Sequence, residues 1–125
     1  MNKLSCLAVA LLCAAAPSFA ATEGFPSDAT LPRASELASR LTGKAFVAKT
    51  KNGELGRHEF NDMGSFVVAN GNGQRAIGNW RAEDGKFCSR VKGRERNLRC
   101  SDARIHQDRL LVRANKGELI TFEPR

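Results

Sequence analysis

Groups that do metal, redox or nucleotide chemistry are scarce in this chain. There are two histidines, four cysteines, one tryptophan and no tyrosine in 125 residues. With so few rings for bases to stack on, a nucleic-acid groove is disfavoured. His58 stands alone between Arg57 and Glu59, His106 lies near a turn, and neither belongs to a zinc-ligand spacing. A nucleophile elbow is missing, and Gly71-Asn72-Gly73 with Gly78 does not fit the dinucleotide fingerprint. Asp62 and Glu83-Asp84 offer carboxylates, but turn chemistry explains the aspartates. The expectation is a non-enzymatic protein with no cofactor and no metal. Beyond residue 20 no apolar run is long enough to cross a bilayer as a helix.

The start of the chain reads as a processing signal. Lys3 precedes an apolar stretch from Leu4 to Ala16, and Pro17-Ser18-Phe19-Ala20 carries small residues where a signal peptidase cuts. Cleavage is expected after Ala20. Neither Cys6 nor Cys13 has the flanking residues of a lipoprotein signal. Removing residues 1–20 from the 125 leaves 105, enough for one domain. It also removes Cys6 and Cys13. The remaining pair, Cys88 and Cys100, reads as a disulfide in a periplasmic or extracellular protein. Without Lys3 the balance is 19 basic against 13 acidic residues, and arginine supplies 13 of the 19. Arginine favours planar, bidentate contacts with carboxylate or phosphate.

Residues 21–32, with Gly24, Pro26 and Pro32, read as a flexible leader to a single β domain over 33–125. A short helix is predicted from Ser35 to Leu41, ended by Gly43. Turn signals then recur every roughly 8–12 residues, the rhythm of consecutive antiparallel strands. Strands are predicted near 44–50, 55–61, 65–69, 74–82, 86–92, 98–106, 109–114 and 118–123. Connections this short exclude parallel crossovers. The fold expected is all-β with one short N-terminal helix: an up-and-down meander of seven to eight strands, closed or partly closed into a barrel. Trp80 is expected in its core.

A hairpin that opposes Cys88 to Cys100 has its turn at Arg94 and pairs 90 with 98 and 92 with 96. Directly opposed residues at a non-hydrogen-bonded site stand about 4.5 Å apart, compatible with a disulfide. Phe87 and Val91 then face a core, and Arg90 and Lys92 share the cysteines' face. Between Arg90 and Arg113 eight basic residues stand against Glu95, Asp102 and Asp108. The binding site expected is Arg90, Lys92, Arg94, Arg96 and Arg99, facing an anionic glycan, a lipid head group or an acidic protein. The plainer alternative is a solvated sheet face with cross-strand pairs, such as Arg104 with an acid. Two other functions compete. One is a carrier of a small apolar ligand inside a barrel lined by Phe46, Val47, Phe66, Val68, Leu110, Val112, Ile120 and Phe122. The other is an inhibitor or effector that docks on another protein.

Gly78-Asn79-Trp80, Asp84-Gly85 and Lys86-Phe87-Cys88 form a Gly-x-Trp, turn, Cys pattern, preceded by Leu41-Thr42-Gly43-Lys44. Over residues 41–100 the chain thereby resembles a loose group of small exported proteobacterial proteins of unknown function. The resemblance implies a compact exported β-meander and no catalytic residue. The arginines after Cys88 are not part of the pattern.

Overall fold

A computed structural model describes residues 23–125, so the expected signal segment lies outside the described residues. One helix, α1 (Ala34–Leu41), precedes eight strands: β1 (Ala45–Thr50), β2 (Gly53–Phe60), β3 (Ser65–Ala69), β4 (Arg75–Glu83), β5 (Lys86–Val91), β6 (Arg99–His106), β7 (Arg109–Arg113) and β8 (Leu119–Pro124). Each strand pairs antiparallel with the next, and β1 pairs with β8, closing the barrel. The seam sets Ala48 opposite Phe122 and Val47 opposite Glu123.

Alternation sorts the side chains. Phe46, Phe60, Phe66, Trp80, Phe87 and Phe122 are all buried in the core. Phe60 is the hub: its ring lies 5.4–6.3 Å from Trp80, Phe66, Phe87, Phe46 and Phe122. Edge-on and offset contacts of this kind add to the stabilisation from buried area. The rings fill the interior space that the carrier reading gives to a ligand. Val47, one of the lining residues expected there, faces outward instead, because its neighbours Phe46 and Ala48 take the inward positions.

Two inward residues complete the packing. Gly78 lies opposite Phe66 and Val91. A Cβ there would run into the Arg90 carbonyl and come within 2.7 Å of the Phe66 ring tip. Gly78→Ala should therefore lose about 1–3 kcal/mol by overpacking, read from urea denaturation. An unchanged midpoint would show that the ring has room to move. Trp80, beside it, holds its expected core position.

The helix caps one end. Leu37 and Leu41, one turn apart, are fully buried against the core, while Glu36 and Arg40 stay on the wet face. Arg33 offers no side-chain cap, and the Asp84 carboxylate accepts the Ala34 N–H at 2.8 Å instead. A turn between strands thus anchors the helix start. The turns β2–β3, β4–β5 and β6–β7 share this end with α1. The turns β1–β2, β3–β4, β5–β6 and β7–β8 form the far end.

The segment before the helix is not a flexible leader from residue 23 onward. Below Asp102 the β5–β6 ladder stops at Lys86, which frees one edge of β6. Thr30 takes that edge, exchanging two backbone hydrogen bonds with Ile105 at 2.8 and 2.9 Å. Glu23 is fixed by its own N–H to the Gly117 carbonyl, by a Leu119 N–H on its carboxylate, and by Lys51 at 2.8 Å. The Lys51 contact, with that N–H, holds the Glu23 carboxyl below its ordinary pKa. Phe25 lies beneath two guanidinium groups, Arg113 at 4.5 Å and Arg104 at 5.1 Å from its centroid. These contacts strap residues 23–32 to the barrel wall.

Candidate functional site

The clasp forms in the expected register: Cys88 faces Cys100, their Cα atoms 3.9 Å apart, and the sulfurs are bonded. The hairpin beyond it does not continue. The ladder ends at Ser89 opposite Arg99, so the expected 90–98 and 92–96 pairs are absent. The reason lies on the other side of β5. Val91 stays paired to Gly78 of β4, and the Lys92 N–H goes to the Ile77 carbonyl at 2.9 Å. With β5 held by β4, residues 92–98 form a loop. It opens with N–H groups of Arg94 and Glu95 on the Val91 carbonyl and with Gly93 at φ 83°.

Arg90 fixes that loop. Its guanidinium donates to the Arg96 carbonyl at 3.0 Å and to Asn79 Oδ1 at 3.1 Å. This half-buried arginine therefore supports the loop from beneath. Lys92, Arg94, Arg96 and Arg99 are exposed, and among the described residues none lies in an ion pair. Arg99 sits on the opposite face of its strand from Cys100, at the far-end rim. Arg75 of β4 and Lys116 of the β7–β8 turn stand at the same end, also without an acidic partner within 4 Å.

The other three cations of the Arg90–Arg113 stretch belong to the wall. Arg109 pairs with Glu123 at 3.1 Å, and Arg113 pairs with Asp102 at 3.5 Å. Among the described residues Arg104 has no acidic partner within 4 Å, unlike the cross-strand pair of the plainer alternative. It donates to the carbonyls of Ala103 and Gly85 and covers Phe25. The basic run of the sequence thus divides into a structural half and a free half.

Glu83 Oε2 lies 3.0 and 3.1 Å from the sulfurs of Cys88 and Cys100. Bonded sulfurs carry no proton, so these are contacts and not hydrogen bonds. Metal ligation by this trio would require reduction first, since the thiolate is the ligand. The histidines are far from the loop in role. His106 Nε2 meets the Asp28 carboxylate of the strap at 2.9 Å. His58 faces inward, stacked 6.2 Å from both Phe60 and Phe66, with Nδ1 buried and unpartnered. Burial pushes its pKa down to about 4. Nothing in the strand pattern around Arg57-His58-Glu59 singled it out as interior except the alternation with Phe60.

Compared with known proteins, the chain matches no family model, no curated protein and no solved structure.

Proposed function

We propose that the far end of the barrel is a non-catalytic binding surface for a polyanion, with an anionic glycan as the favoured partner of an exported protein. The observation that carries this is the division of the cations. Those on the wall are tied to carboxylates, carbonyls or Phe25, whereas Lys92, Arg94, Arg96 and Arg99 are exposed and, among the described residues, have no carboxylate within 4 Å. Unneutralised guanidinium groups on a fixed loop favour bidentate capture of sulfate, carboxylate or phosphate. Loop order comes from the Cys88–Cys100 bond and from Arg90, which lowers the entropy lost on binding. Arg90 acts in this reading as a positioning residue, and the other four make contact.

Two features favour a glycan over the other anions. The loop Lys92-Gly93-Arg94-Glu95-Arg96-Asn97-Leu98 offers only a half-buried Leu98 for insertion into a lipid interface. The core rings face inward, where they cannot stack on bases. Retention of the oxidised protein on a heparin matrix tests the reading. The pair Arg94→Gln and Arg96→Gln should elute at clearly lower salt than Arg33→Gln with Lys86→Gln, which removes equal charge at the helix end. Equal shifts for the two pairs would leave net charge alone as the cause.

A further inference from the structure

The end opposite the basic loop holds a separate feature. Between α1, the start of β1, the β6–β7 turn and the end of β8 lies a hollow of about 440 Å³, within the size range of small-molecule sites. Its apolar floor is made by the edges of Phe46, Leu110 and Phe122. Its rim carries the side chains of Arg40, Lys44 and Arg125 against a single acidic side chain, Asp108. Among the described residues Lys44 has no acidic partner within 4 Å; its ammonium donates to the Ser39 carbonyl at 3.3 Å. An apolar floor beneath a cationic rim is complementary to a ligand with one greasy end and one negative end.

The backbone supplies an independent sign. The β6–β7 connection has two residues, Gln107 and Asp108, at φ 50° and 63°. Two-residue hairpins of this hand favour Asn-Gly, because side chains resist positive φ. Here neither position is glycine, and such strained residues gather at ligand sites and clamps. The turn places Asp108 Oδ1 3.0 Å from Arg40 Nη1, while Glu36 holds Arg40 Nε from one helical turn away at 3.6 Å. The Asp108–Arg40 ion pair therefore ties the turn to the helix beside the hollow and holds the guanidinium at its edge.

We propose that this hollow binds a single-chain amphiphile with an anionic head, its tail against Phe46, Leu110 and Phe122 and its head at Lys44. The site is independent of the polyanion surface, which occupies the other end of the barrel.

The test is a ¹H–¹⁵N titration of the oxidised protein with sodium decanoate below its micelle threshold. Decyl phosphate and decyltrimethylammonium serve as parallel probes. Decanoate should give saturable shifts at the amides of Lys44, Ala45 and Asp108, and the cationic probe should not. Lys44→Glu, a change at an exposed position, should weaken decanoate about fivefold or more, as expected for replacing one charge contact by a like-charge repulsion. Tighter binding of decyl phosphate supports the same site and assigns it a phosphate-monoester head. Non-saturable shifts, equal response to both head charges, an unchanged Lys44→Glu variant, or shifts centred on residues 92–99 would each overturn the proposal.

Discussion

Acidification from pH 7 to pH 4 should remove about 3 kcal/mol of stability through His58 alone. The imidazole sits inside the barrel, edge-on to Phe122 at 5.2 Å and stacked with Phe60 and Phe66. Burial lowers its folded pKa from the ordinary 6.5 to about 4. Between those values the unfolded chain binds a proton that the folded chain refuses. Stability is thus full above pH 6.5 and falls as the pH drops toward 4. Carboxylates enter only lower. Glu23 and Glu123, whose pKa values are lowered chiefly by hydrogen bonds from Lys51 and Lys49, lose stabilisation as the pH falls below their ordinary range. Urea denaturation of the parent protein and of His58→Phe between pH 6.5 and 4.5 isolates the histidine. The parent should weaken steadily across that window and the variant should hold level. Parallel curves would show that His58 is solvated in the folded state.

Removing the disulfide with Cys88→Ala and Cys100→Ala should lower stability by about 3 kcal/mol, the loop-closure value for a short loop. For a domain of this size that corresponds to a melting temperature lower by roughly 12–24 °C. Cys88 is completely buried, so packing adds to the loss. The bond also orders the loop. No further β5–β6 pairs follow Ser89 and Arg99, so on the β6 side the loop is tied by the disulfide and by Arg90 alone. Heparin retention of the double variant, measured well below its melting point, should therefore fall as well. A stability loss below about 1 kcal/mol would show that the closed barrel alone holds β5 and β6 in register.

The strands were legible in the sequence because their turn residues recur at short, regular intervals and their apolar residues alternate. Phe66 with Val68, and Ile120 with Phe122, mark the inner face without ambiguity. Register at the clasp followed from the two cysteines, which must oppose each other to bond. What failed was the continuation past it. A symmetric hairpin assumes that β5 answers only to β6, whereas Val91 and Lys92 answer to β4. The strap escaped for a similar reason: Gly24, Pro26 and Pro32 suggest looseness, and the free edge at Ile105 exists only once the ladders are in place. Of the candidate site, the exposure of Lys92, Arg94 and Arg96 agrees with their place in a charged turn, and Arg99 opens β6 next to it. The inward use of Arg90 depends on Asn79, eleven residues upstream, and no local pattern announces it. The hollow at the helix end is assembled from three separate stretches of the chain and was invisible for that reason.

The seam between β1 and β8 has a consequence in time. The strands it joins come from opposite ends of the folded sequence, and the strap likewise binds near its N-terminus to residues 117 and 119. Such long-range pairing places the barrel among slow-folding topologies. Until β8 arrives, β1 carries one bare edge, β7 carries another, and Phe46 and Phe60 lack the ring of Phe122. A chain without β8 is consequently an open ribbon with sticky margins.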